Sequence, residues 1–159
     1  IHSPLLEAID DDNVSVVQEC LKRDNISPNQ KYLIPQWEIP EADRFYFQPL
    51  LHRAVWEGSV EVAKELLKQG ADPKAKGYLG TNAIDETFDA YHHKETEMLQ
   101  MGKALIKFGH VSPKELGKVF SENRTPIHVC TALNHYAEEL KQVKISVSPV
   151  LATTKNRSR

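Results

Sequence analysis

The chain has 159 residues, 40% of them hydrophobic, and 20 Lys and Arg against 22 Asp and Glu give a formal net charge of −2. That size suits one domain or a short array of repeats whose core needs no disulfides, and the near-neutral balance argues against a general DNA or RNA binder, which carries a basic excess to displace phosphate counterions. No apolar run reaches the length of a transmembrane helix, and no signal peptide opens the chain.

Residues 3–24 superimpose on residues 49–70 at a constant offset of 46. Leu5 falls on Leu51, Ala8 on Ala54, Val17 on Ala63, Cys20 on Leu66 and Leu21 on Leu67, so core-type positions meet core-type positions. Each copy predicts two short helices. The first has a small residue at its centre (Ala8, Ala54), which lets a neighbouring helix approach. The second carries an apolar stripe, with Val60, Ala63 and Leu67 on one line and Val62 and Leu66 on the next. Gly70 ends that helix in the left-handed conformation expected after a last turn. Between the copies, segment 31–47 holds Pro35 and Pro40 among aromatic and apolar residues and reads as an extended, ordered loop, with Phe47 inside and Tyr46 outside.

A third copy runs from Gly80, with Leu99, Met101, Gly102, Leu105, Ile106 and Gly109 forming its second stripe and about six extra residues around Tyr91 to Thr96 separating its helices. Ser112-Pro113-Lys114-Glu115 is a capping-box pattern with proline at the first helical position and predicts a short extra helix near 113–120. Thr125-Pro126-Ile127-His128 opens a fourth copy. Its second helix, near Tyr136 to Val143, puts Glu138 and Glu139 at core-type positions, as a terminal repeat facing water would. The remainder, 144–159, reads as a C-terminal extension whose apolar start packs along the last repeat and whose final residues are disordered. Because it begins with Ile1, the chain reads as an excised piece of a longer protein.

Residues 49–73, Pro49-Leu50-Leu51-His52-Arg53-Ala54-Val55-Trp56-Glu57-Gly58 through Gly70-Ala71-Asp72-Pro73, closely resemble an ankyrin repeat. They follow its pattern of Leu-His, Ala, Gly, Glu-Val, Leu-Leu and Gly-Ala-Asp in register. Gly80 to Asp85 and Thr125 to His128 resemble the opening of the same unit. The resemblance extends over residues 3 to about 143 as repeats starting near 3, 49, 82 and 125, and implies an all-α ankyrin-repeat solenoid of about four stacked helix-turn-helix repeats with two insertions. It further implies a non-catalytic, monomeric, intracellular and cytoplasmic interaction module that binds a partner protein or peptide on its concave face. Nucleic acid, membrane, small-molecule substrate and cofactor are not expected. The alternative is a regulatory or targeting domain of an enzyme, or of a pathogen effector acting in a host cytosol.

By that resemblance the concave positions are Asp10, Asp11, Tyr46, Gln48, Trp56, Glu57, Tyr78, Leu79, Asp89, Ala90, Ala132 and Leu133. Trp56 is either an exposed anchor of the kind that dominates interfaces or is covered by the aromatic loop. Asp10, Asp11, Glu57 and Asp89 form an acidic stripe that suits a partner with Arg or Lys flanking apolar anchors, or a solvated face.

His52 and His128 occupy the family's histidine, which implies hydrogen bonds to neighbouring backbone between repeats. His92 and His93 beside Asp89 are not expected to hold a metal, because adjacent histidines on a helix point about 100° apart. The two cysteines, Cys20 and Cys130, are widely spaced and suggest a reducing compartment. Cys130 near His128 and His135 has the composition of a nucleophile pair, but it stands where the repeat keeps a small core residue, and a buried apolar thiol is inert. No phosphate loop, HExxH, GxSxG or GxGxxG is present, so no catalytic and no metal residues are expected.

Overall fold

The computed structural model describes residues 3–157, with side chains described as far as Val143. It is mostly helical. Among the described residues there are eight α-helices: α1 (Pro4–Asp10), α2 (Val14–Arg23), α3 (Leu50–Trp56), α4 (Val60–Lys68), α5 (Ala83–Thr87), α6 (Glu95–Lys107), α7 (Pro113–Asn123) and α8 (Ile127–Arg157). Odd helices pack on the even helices that follow them. In addition α1, α3, α5 and α7 touch in succession, as do α2, α4, α6 and α8. Both helices of each pair therefore bury faces against the next pair, and one apolar cluster runs from Ala8 and Ile9 to Val129 and Leu133. Leu51, Leu66 and Leu67 are buried in it, in line with their place in the stripe.

Caps and cross-links between pairs explain where the helices begin. The Ser3 hydroxyl accepts from Leu6 N and caps α1; the Asn13 side chain accepts from Val16 N and caps α2. Ser59 precedes α4 but does not cap it. Its hydroxyl donates instead to the Ile9 carbonyl at 2.6 Å, and the free amide of Val62 in the first turn of α4 donates to Asp12 Oδ1 at 2.8 Å. The turn between α1 and α2 thus caps the start of α4, the second helix of the next pair.

Segment 31–47 is not a plain loop. Strand β1 (Lys31–Leu33) pairs antiparallel with β2 (Phe47–Pro49), in the register Lys31 to Pro49, Tyr32 to Gln48 and Leu33 to Phe47. A two-stranded ribbon is thus added to the helices the sequence predicts, closed by a short 3₁₀ turn at Gln36–Glu38. Ile34 and Ile39 turn inward and anchor it. Strand alternation reverses the expected placement of its aromatics: Phe47 is 57% exposed, opposite Leu33, while Tyr46 is half-buried with its ring edge-on to Tyr78 at 4.7 Å.

The fourth helix pair also differs from expectation. Helix α7 is capped reciprocally by Ser112 and Glu115 and takes the position of a first helix, packing on α5 and α8. Thr125-Pro126-Ile127-His128 does not open a helix pair. It begins α8, which continues without a turn through the expected second helix near 136–143. The backbone after Lys144 continues α8 as far as Arg157, where the sequence reads as a disordered end. The expected packing of its apolar start concerns side chains outside the described residues, and positions 158 and 159 lie outside them too.

Candidate binding surface

Arg53 of α3 organises the inner face. Its Nε and Nη2 donate to Asp10 Oδ1 and Oδ2, both at 2.8 Å, and its Nη1 donates to the two Glu38 oxygens at 2.9 and 2.8 Å. The guanidinium also lies 5.7 Å from the Tyr32 ring centre. One side chain therefore ties α1, α3 and the hairpin together by charge-assisted, bidentate bonds. The Asp10 bond, working against burial, holds Arg53 further above its already high pKa. Burial, with help from the Asp10 charge, pushes the Glu57 carboxyl up.

The residues expected on the concave face fall into two groups. Trp56, Glu57, Leu79 and Asp11 are exposed, and Tyr78 and Asp89 are half-exposed. Trp56 is 44% exposed, and its ring stacks on His92 with centres 3.8 Å apart. Gln48 does not face outward: it is 7% exposed, and its Oε1 accepts from Tyr78 N at 3.0 Å. Asp10 is committed to Arg53, and Asp89 Oδ1 accepts from Tyr91 N at 3.0 Å. The acidic stripe is thus largely internal wiring. Leu133 is core, packed against Gly102 of α6, and Ala90 and Ala132 lie at least partly open.

Segment 31–47 carries more exposed apolar area than the concave positions do. Leu33, Trp37, Phe45 and Phe47 all project from the hairpin. Phe45 and Phe47 flank Tyr46, whose ring meets Tyr78, and Leu79 follows at the tip of the next connection with a left-handed backbone, φ 60°. The signal for this in the sequence was the strand alternation around Tyr32 and Gln48, hidden by the two prolines.

The histidines depart from their implied roles. His52 is buried and its Nε2 donates to the Thr81 hydroxyl oxygen at 3.3 Å, a side chain of the next helix pair rather than backbone. His128 is exposed and pairs with Glu95 at 2.5 Å. His92 and His93 are not on a helix. They lie in the turns between α5 and α6, and both approach the buried Glu86 carboxylate. The argument from helical geometry therefore does not apply to them. Cys130 is partly buried, its Sγ–H donates to the Thr125 carbonyl, and burial pushes the thiol up, away from the reactive thiolate.

Residues 48–78 match the family model of the ankyrin repeat. The chain carries an ankyrin repeat. The matched repeat comprises β2's last residues, α3, α4 and the connection to Tyr78, so it contains Arg53, Trp56 and the Tyr78 edge of the aromatic row. No curated protein and no solved structure matches the chain. No helix among the described residues is long and apolar enough to cross a membrane.

Proposed function

We propose that the four helix pairs are stacked ankyrin-type repeats and that the chain is a non-catalytic module that captures a partner protein or peptide. An ankyrin repeat suggests protein binding. The observation that carries the reading further is the exposed apolar row Leu33, Phe45, Phe47 and Leu79, joined through the Tyr46–Tyr78 contact. Contiguous exposed apolar surface on a soluble domain marks an interaction site, and aromatic anchors dominate interface energetics. Their backbone is held by the ribbon and by Arg53, so little ordering entropy remains to be lost on binding. Trp56 extends the surface onto α3, with Glu57 and Asp11 at the rim for basic residues flanking apolar anchors.

A photo-crosslinking residue placed at Phe47 in the full chain is expected to capture a stoichiometric partner. Binding of that partner, reconstituted from purified components, should weaken at least about tenfold, about 1.4 kcal/mol, in Phe47→Ala and in Trp56→Ala, with the fold retained. Equal affinity in both variants, or crosslinking only from the Lys64 and Lys68 side of α4, defeats the reading.

A further inference from the structure

Beneath Trp56, three side chains converge from two different elements. Glu86 lies on α5 and His92 and His93 on the turns that follow it, and one donor atom from each lies within 4.8 Å of the others. The Glu86 and His93 side chains are 8% and 4% exposed. Glu86 Oε1 and His93 Nε2 face each other at 3.4 Å, yet neither has a hydrogen-bond partner among the described residues. The two form an ion pair when His93 is protonated; with the ring neutral, each is a buried polar atom without a hydrogen bond, which is costly.

The rest of His93 narrows what belongs between them. Its Nδ1 lies 3.0 Å from Glu97 Oε2, so in the neutral tautomer that keeps the proton on Nδ1 the Nε2 lone pair faces Glu86. A carboxylate holding the far nitrogen of a histidine ring is the usual support of a metal-bound imidazole. Gly58, at φ 73°, leaves space for that support, since a Cβ there would lie 3.2 Å from Glu97 Oε2. The 3.4 Å separation is long for a charge-assisted hydrogen bond. It matches the edge of a tetrahedron with bonds of about 2.0–2.1 Å, about 3.3 Å. His92 Nε2 stands 4.0 Å from the same carboxylate oxygen.

We propose that Glu86 Oε1, His92 Nε2 and His93 Nε2 bind one zinc ion, with Glu97 positioning the His93 ring. Two imidazole nitrogens and one carboxylate oxygen suit a first-row transition cation over magnesium or calcium, and the half-exposed His92 is the side from which the ion enters. Ligation by His92 displaces the hydrogen bond that its Nε2 makes to the Trp56 carbonyl at 2.6 Å and shifts the ring that stacks on Trp56. The site therefore joins the α5–α6 connection to the end of α3, and Trp56 reports its occupancy.

The test uses the full chain without a histidine tag, stripped with chelator and titrated with zinc chloride alone. One zinc per chain is expected by calorimetry and elemental analysis, with a rise in melting temperature and a change in tryptophan fluorescence that persists in Trp37→Phe. Glu97→Gln should weaken zinc binding about 10–100-fold; His92→Ala and Glu86→Gln should weaken it at least as much. Because His92 is on the surface, His92→Ala retains the fold and carries the decision if the buried substitutions unfold the chain. Absence of zinc binding overturns the proposal, as do unchanged affinity in His92→Ala and Glu97→Gln, equal response to magnesium, or loss only in His128→Ala or His135→Ala, whose rings pair with surface Glu95 and Glu139.

Discussion

Arg53 and Asp10, separated by 43 residues of chain, meet in two parallel hydrogen bonds of 2.8 Å. The guanidinium is 11% exposed, whereas Asp10 and Glu38 each keep 31% of their side-chain surface. Breaking a buried pair costs about 3–5 kcal/mol because the remaining charge is stranded. The partial solvation of both acids lowers that, and Arg53→Met is expected to cost about 2–3 kcal/mol in urea unfolding. Glu38→Gln should cost less in global stability but raise the rate of limited proteolysis within 35–46, since it frees the hairpin from α3.

The interior responds to volume in both directions. Leu67→Ala empties a packed position between successive pairs and is expected to cost about 2–5 kcal/mol. Gly102→Ala does the reverse. A Cβ there would lie 2.7 and 2.9 Å from the methyl carbons of the buried Leu133, so that side chain or the α6–α8 contact must shift, at a cost of about 1–3 kcal/mol. Denaturation midpoints by circular dichroism measure both, and a neutral Gly102→Ala would show that Leu133 is not held tightly against α6.

His52 gives a pH dependence of definite sign. Thr81 donates its hydroxyl proton to the Tyr78 carbonyl at 2.9 Å, so the hydroxyl oxygen accepts from His52 Nε2–H, and His52 Nδ1 is buried without a partner. Burial pushes the His52 pKa down, outweighing the pull of Glu86 and Asp85. The unfolded chain takes up its proton near pH 6.5 and the folded chain only below that. Over this interval the unfolded state binds more protons, so stability falls as pH drops below about 6.5. His52→Gln should remove that loss. Urea midpoints of both proteins between pH 7.5 and 5, in chelator, isolate it from the other histidines as the difference between the two slopes.

What the sequence reveals, and what it hides, follows from how local each determinant is. Leu51, Leu66 and Leu67 were readable as core because helical spacing and a repeated stripe are local signals. The cap on α7 was readable because Ser112 and Glu115 satisfy each other within one turn. The fourth pair was misread: Thr125-Pro126-Ile127-His128 has the lettering of a first helix, but α7 already fills that place against α5, and the lettering starts α8 instead. The approach of Glu86 to His92 and His93 depends on the path of a seven-residue connection, for which the sequence has no periodicity to read. Asp10 leaves the acidic stripe for a similar reason, since Arg53, which binds it, lies in a different helix pair.

The hairpin offers the sharpest separation of packing from binding. Tyr46 immediately precedes β2, with its carbonyl accepting from Ile34 N at 2.9 Å, so its side chain and that of Phe47 point to opposite faces of the extended backbone. Tyr46 meets Tyr78 edge-on at 4.7 Å and Arg44 Nε at 3.1 Å, which locks the ribbon to the next connection. Phe47 sits opposite Leu33 with more than half its surface in water. Tyr46→Ala removes an aromatic pair worth about 0.5–1.5 kcal/mol beyond its buried area and should lower the melting temperature by several degrees. Phe47→Ala removes mostly solvent-facing surface and should lower the melting temperature by less than Tyr46→Ala does, while weakening partner binding about tenfold. Thermal melts and binding isotherms on the two single variants and the double variant test this. If Phe47→Ala melts early and Tyr46→Ala does not, the ribbon's register is shifted by one residue, and the row formed by Leu33, Phe45 and Phe47 is turned into the protein rather than towards a partner.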